Sequence, residues 1–376
     1  MARARTIPVV LAAVLAAAFV LSTLPAEAFK VETDDIPTGL SQNVNLYAIG
    51  WKPSGAEALV VGDSKAVLVF RDSTGSFRKI EAPLAPDFLM GAAWKPDSTF
   101  ALAVGSAGTA LLFNGQTVTN VDTGTTRFLY DVEWAPDGSR ALIVGAEGTI
   151  LRYAGGVFSP VGSGTGKTLY KVSVNPTDHS ALAVGVNSTL LRINPDGTVV
   201  KLPFVEDWTL HSVAWNPQGT LAVITGANGI VATFDGAAVK FINRDTPNVF
   251  LDVCWKPDGS QALISGDTGI VLKLREGRLT YIDAGIRSLL QGIAYRPGGS
   301  YALAVGNKAK CVRYPMKPAP KPASLLDNPL VLGGVIAVVA VAVVSVAYLD
   351  WREKRQLSSK KTARHLPRAV GKKRLR

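Results

Sequence analysis

The sequence predicts an all-β chain folded as a seven-bladed β-propeller, and three observations carry that prediction. An aromatic anchor recurs as Trp51, Trp94, Trp134, Trp215, Trp255 and Tyr295, with Val174 as the one aliphatic substitute. A proline follows two residues later each time, at positions 53, 96, 136, 176, 217, 257 and 297. A glycine stands eleven residues after each anchor, at 62, 105, 145, 185, 226, 266 and 306. The interval of 40 to 43 residues matches the length of a four-stranded blade. Seven copies suffice to close a ring and remove every exposed sheet edge.

The third copy shows the elements most clearly. Residues 129–135 alternate toward Trp134, Pro136-Asp137-Gly138 makes a tight turn, and 141–144 is a short apolar strand. A Gly-x-x-Gly turn, Gly145 to Gly148, leads to a third strand at 149–153, and Gly155-Gly156 is the hairpin to a fourth at 157–161. Asn114-Gly115 and Asp235-Gly236 occupy that hairpin in other copies, where both central residues need positive φ. The seventh copy stops after its third strand at Tyr314. Residues 29–33 resemble the fourth strands around Phe77 and Leu279, so the N-terminal segment is expected to complete the last blade.

The flanks read differently. Residues 1–28 look like a secretory signal, with Arg3 and Arg5 before an apolar run and Ala26-Glu27-Ala28 before Phe29; an uncleaved anchor helix is the alternative. The propeller is assigned to residues 29–314, and a proline-rich stalk to 315–329, where Pro315, Pro318, Pro320 and Pro322 favour an extended conformation of about 3 Å per residue. Residues 330–349 are a nearly unbroken apolar run of the length of a single transmembrane helix. Residues 350–376 form a basic tail with 11 basic and 2 acidic residues, which holds most of the net charge of +11. Basic residues flanking a span are retained on the cytoplasmic side, so the head is expected to be extracytoplasmic, with the tail near anionic lipid. The rest of the chain is nearly neutral, and nucleic acid is not an expected partner.

Strand, Pro-Asp-Gly turn, strand, Gly-x-x-Gly turn and an N-terminal closing strand together resemble the WD-repeat seven-bladed β-propellers. The Gly-His pair of that family is absent, and its Trp-Asp pair is replaced by Phe70-Arg71, Phe113-Asn114, Tyr153-Ala154 and Phe234-Asp235. The stretch from Val144 to Arg152 is also similar to extracytoplasmic propellers that help assemble photosynthetic membrane complexes, which implies an assembly role. Both resemblances speak to shape before activity.

Residues suited to catalysis are sparse. The histidines are His179, His211 and His365, none paired at a zinc-ligand spacing, and no cofactor or metal is expected. No Gly-x-Ser-x-Gly, phosphate loop or dinucleotide fingerprint occurs. Cys254 and Cys311 fall in the first and third strands of neighbouring blades, too far apart to bridge, so both are expected as buried free thiols.

The repeat instead locates a binding surface. Four residues before each anchor stand Tyr47, Met90, Tyr130, Tyr170, His211, Leu251 and Gln291. Three residues before it stand Ala48, Gly91, Asp131, Lys171, Ser212, Asp252 and Gly292. Both sets lie where the innermost strand enters the ring, so they are expected to line one mouth of the central channel. Trp208 and Arg127 belong to the entry loops of that mouth, and an exposed Trp208 would serve as an interface anchor. The plainer reading packs Tyr47, Tyr130 and Tyr170 between blades and leaves Asp131, Lys171 and Asp252 as a solvated lining. Asn187-Ser188-Thr189 is a glycosylation sequon on the same mouth. The expected function is an extracytoplasmic, membrane-anchored scaffold that binds a protein or peptide, with no catalytic residues. The alternative is a carbohydrate-active enzyme, a hydrolase or lyase, that uses Asp131, Asp252 or His211 as acid or base.

Overall fold

The computed structural model describes residues 35–204, 207–244, 246–282 and 286–314, together with residues 344, 347–348, 351–352 and 354–355 of the tail. Two compact units are present, Met1–Lys317 and Pro318–Arg376. The described residues of the first unit form an all-β, seven-bladed propeller. Six blades are four-stranded antiparallel meanders in chain order and the seventh has three named strands. In the third blade the strands are Leu129–Trp134, Ala141–Gly145, Ile150–Ala154 and Val157–Pro160, within a residue or two of the sequence reading.

The innermost strands are Leu46–Trp51, Leu89–Trp94, Leu129–Trp134, Leu169–Val174, Leu210–Trp215, Phe250–Trp255 and Leu290–Tyr295. Their neighbours, such as Ala101–Gly105 and Ala181–Gly185, are buried along their whole length. A strand enclosed between two blades has no solvent face, so it reads as a continuous apolar run instead of an alternation. Outer strands such as Val157–Pro160 are largely exposed and carry the polar residues.

The repeated residues do their work at the seams between blades. The Trp51 indole N–H donates to the Ala294 carbonyl at 3.2 Å, Trp134 to Ala93 at 3.3 Å and Trp255 to Ala214 at 3.0 Å. Each bond ties an anchor to the innermost strand of the preceding blade, and that of Trp51 joins blade 1 to blade 7. The same seam holds the Tyr301 hydroxyl on Asp72, with the Arg296 guanidinium 2.9 Å from the same carboxylate. In the Pro-Asp-Gly turn, the Asp137 carboxylate accepts from the Ser139 N–H at 2.9 Å and Gly138 takes a φ of 68°.

The glycine eleven residues after the anchor has another cause. Gly105 and Gly185 have an ordinary extended backbone, but a Cβ on either would lie 1.9 Å from the carbonyl oxygen of Phe88 or Thr168. No side chain fits there.

The N-terminal segment reaches the last blade. Asp35 forms an antiparallel bridge with Val312, the Ile36 N–H donates to the Cys311 carbonyl at 2.8 Å, and the Thr38 hydroxyl to that of Ala309 at 3.1 Å. The expected closing strand at 29–33 lies outside the described residues, as do the signal segment, the stalk and most of residues 330–376. Among the described residues no helix is long and apolar enough to cross a membrane. The described tail residues are helical and exposed, with the Arg355 guanidinium 4.9 Å from the centre of the Trp351 ring.

Candidate functional site at the channel mouth

One backbone irregularity, repeated seven times, builds the mouth. In each blade the innermost strand advances two residues while its partner advances one, as from Leu46 to Ala48 against Gly62 to Val61. The same shift occurs at Leu89/Gly91, Leu169/Lys171, Leu210/Ser212, Phe250/Asp252 and Leu290/Gly292, and opposite Val144/Gly145 in the third blade. Such a bulge leaves its extra residue unpaired and re-aims the side chain. Plain alternation would put consecutive residues on opposite faces of the sheet. The bulge lets both members of a pair face one cavity, and Tyr130 with Asp131, Tyr170 with Lys171 and Leu251 with Asp252 all do so.

The residue before each bulge is fully buried, whereas every residue on it is half-buried. The bulged residues make an aromatic arc. Tyr130 and Tyr170 meet edge to face at 5.0 Å, and Tyr170 lies 5.7 Å from the His211 ring. Two phenylalanines extend the arc: Phe128 stacks on Tyr130 at 4.8 Å, and Phe88 lies 6.4 Å from Phe128 and 6.5 Å from Tyr47. Phe88 is 42% exposed, and Leu84 in the same entry loop is 70% exposed. Sequence reasoning misses both phenylalanines. Their signal is a Phe six residues before the anchor, where other copies carry Asn45, Thr168, Thr209, Val249 and Leu289.

Charged side chains from three blades meet in the same cavity as a polar plug. The Lys171 ammonium, from blade 4, lies 3.1 Å from the Asp252 carboxylate of blade 6 and 3.7 Å from that of Asp131 in blade 3. Asp131 also accepts from the Val172 N–H at 3.1 Å, and Asp252 from the Ile293 N–H at 2.9 Å and the Ser212 hydroxyl at 2.8 Å. These N–H groups belong to the free edge of an innermost strand, and a carboxylate from the preceding blade satisfies them. Both aspartates are therefore buried, not a solvated lining.

A further carboxylate lies one step deeper. Glu133 stands directly before its anchor, at the position of Gly50, Ala93, Ser173, Ala214, Cys254 and Ala294 in the other copies. Sequence reasoning misses it too, although a lone charge in a ring of small residues is a legible signal. The neighbouring Ser173 hydroxyl and Val174 N–H favour the charged form of Glu133. Burial pushes its pKa up to about 8, aided by Asp131 and opposed by Lys171. Burial also pushes Asp131 up to about 6, against the pull of Lys171 and the Val172 N–H. Burial alone would lower Lys171, but Asp131 and Asp252 outweigh it and hold the amine protonated. His211 is lowered by burial, which favours the neutral imidazole.

Two expected site residues, Trp208 and Arg127, lie outside the mouth cavity. Trp208 is half-buried instead of exposed: it packs on the core between blades 4 and 5, and its N–H donates to the Ser188 hydroxyl at 2.9 Å while its carbonyl accepts from the Ser188 N–H at 2.6 Å. It closes a loop and lines no part of the mouth cavity. Arg127 turns outward to Glu147 at 3.0 Å and borders a separate surface cleft. Asn187 has a φ of 53°, in a turn where Ala107, Glu147, Asn228 and Thr268 take the same conformation. Asparagine tolerates this left-handed region well, which accounts for the residue independently of any glycan.

Cys254 and Cys311 are free thiols, and burial raises the pKa of both. Among the described residues, no three metal-ligating side chains converge. No protein-family model matches the chain, and no curated protein matches it. The seven-bladed ring therefore stands on the fold alone, and neither the WD-repeat resemblance nor the likeness to photosynthetic assembly propellers gains support from a match.

Proposed function

We propose that the chain is a membrane-anchored, extracytoplasmic scaffold whose channel mouth captures a protein or peptide during assembly or upkeep of a membrane complex. The observation that carries this reading is the aromatic arc from Tyr47 to His211, which includes the exposed side chain of Phe88. Aromatic side chains offer large, rigid contact area at small entropic cost, and water-facing ones in a contiguous patch mark interaction surfaces. Propeller topology also separates this mouth from the chain's exit. The last described strand, Lys310–Tyr314, runs away from the mouth and ends at the opposite rim.

The enzymatic alternative gains less. Asp252 is held by the Ile293 N–H, the Ser212 hydroxyl and the Lys171 ammonium, which leaves it poorly placed to exchange a proton with a substrate. The signal segment, stalk, span and basic tail enter this proposal from the sequence alone.

A photo-crosslinking residue placed at Phe88 of the full chain in native membranes tests the reading. Capture of a discrete protein that is lost on Tyr130→Ala supports it. Crosslinks that are absent, or unchanged by that substitution, remove its basis.

A further inference from the structure

We propose that the mouth cavity receives the cationic end of one arginine or lysine side chain from the protein partner, an inference that rests on the scaffold reading above. Three features point to this guest. The first is size. The cavity encloses about 110 Å³, too little for a helix or strand and suited to the end of a single side chain.

The second is charge. Lys171 is the one lysine or arginine among the described residues lining the cavity, and it faces both Asp131 and Asp252. Asp63 does not line the cavity and is linked to it through Tyr47, whose hydroxyl donates to the Asp63 carboxylate at 3.4 Å. Glu133 lies beneath and His211 beside, and burial favours the neutral form of each. Arg127 is turned away to Glu147. Carboxylates thus outnumber ammonium groups around the space, so an entering anion meets repulsion and an entering cation does not. Asp252 is closely held by Lys171, Ser212 and Ile293, whereas the nearest cation to Asp131 stands 3.7 Å away, which leaves Asp131 the freer acceptor.

The third is the wall. Tyr47, Tyr130 and Tyr170 border the cavity, and the planes of Tyr130 and Tyr170 stand 80° apart, so their ring faces point in two different directions. A ring face carries the negative part of the aromatic quadrupole and attracts a guanidinium or ammonium placed over it.

The test compares two tripeptides, acetyl-Gly-Arg-Gly-amide and the same peptide with citrulline, which keeps the shape of arginine and removes its charge. Binding to the full chain in detergent is followed by saturation-transfer NMR. The arginine peptide is expected to bind roughly tenfold more tightly. Tyr170→Leu is expected to abolish the preference and Tyr170→Phe to keep it. Lys171→Met, checked for folding by circular dichroism, is expected to enlarge it, since it removes the competing internal cation. No preference for arginine, including no binding of either peptide, overturns the proposal, as does a preference that survives Tyr170→Leu. Crosslinking at Phe88 without an arginine preference leaves the scaffold reading standing and this one refuted. An arginine preference without any crosslinked protein refutes the scaffold reading and, with it, a protein partner as the source of the cation.

Discussion

The seams between blades and the mouth of the channel share one repeated backbone, yet they use side chains in opposite ways. At the seams the same packing recurs: an apolar second strand buried throughout and a glycine where a carbonyl oxygen leaves no room, with the indole of three anchors, Trp51, Trp134 and Trp255, also donating to a carbonyl of the preceding blade while those of Trp94 and Trp215 are buried without a partner. At the mouth the bulge recurs but the residue on it changes, from tyrosine to methionine, histidine, leucine and glutamine. Closing a ring is one task performed seven times, so its residues are repeated. Under the scaffold proposal, recognition would be one task performed once by seven contributors, which accounts for their divergence.

Substitutions should separate the two regions. The largest effect is expected at a seam glycine. Gly185→Ala puts a methyl 1.9 Å from the Thr168 carbonyl oxygen and should cost about 3 kcal/mol or more, measured by urea unfolding. A loss below about 1 kcal/mol would show that the strand can shift to admit a side chain, and that close approach is not why glycine recurs. Next comes an anchor. Trp255→Phe keeps most of the ring but removes the donor to Ala214, and should cost about 1–2 kcal/mol with partner capture unchanged once folded.

The plug couples the regions through pH. Between the ordinary glutamate value of 4.5 and about 8, the folded chain keeps a proton on Glu133 that the unfolded chain has released. Stability should therefore fall as pH rises through that window, by up to about 1.4 kcal/mol per unit, and level off above it. Asp131 contributes with the same sign up to about pH 6. Urea midpoints of Glu133→Gln between pH 6 and 8 should be flat. A wild-type chain that is equally flat would mean that Glu133 ionises freely in the folded state.

The smallest effect on stability is expected at the mouth rim. Phe88 is 42% exposed, and Phe88→Ser should change stability by no more than about 0.5 kcal/mol. Partner capture at a crosslinker placed on Leu84 should nevertheless be lost. Capture that persists would confine recognition to the inner arc of tyrosines.

Most of the fold is legible without coordinates. The anchors, prolines and glycines mark blade number and strand order, because each blade must solve the same packing problem with nearly the same residues. The mouth is legible as two register positions, since variation inside a strict repeat stands out. Glu133 carries the same kind of signal, one charge where the other copies are small. Trp208 is not legible, because a loop position outside the register gives no sign of whether it turns inward, and here Ser188 and a neighbouring core draw it in. Arg127 escapes for the same reason, as its direction depends on Glu147 in the adjacent turn.

Spacing along the chain is enough to specify the ring, its seven blades and the positions that look into the channel. It takes the folded ring to bring Lys171 of blade 4 to Asp252 of blade 6, to set the aspartates on strand edges, and to turn neighbouring side chains toward one cavity through a bulge. Such contacts join residues far apart in sequence. Their geometry exists only once the ring has closed and every blade has been set at a fixed angle to the next.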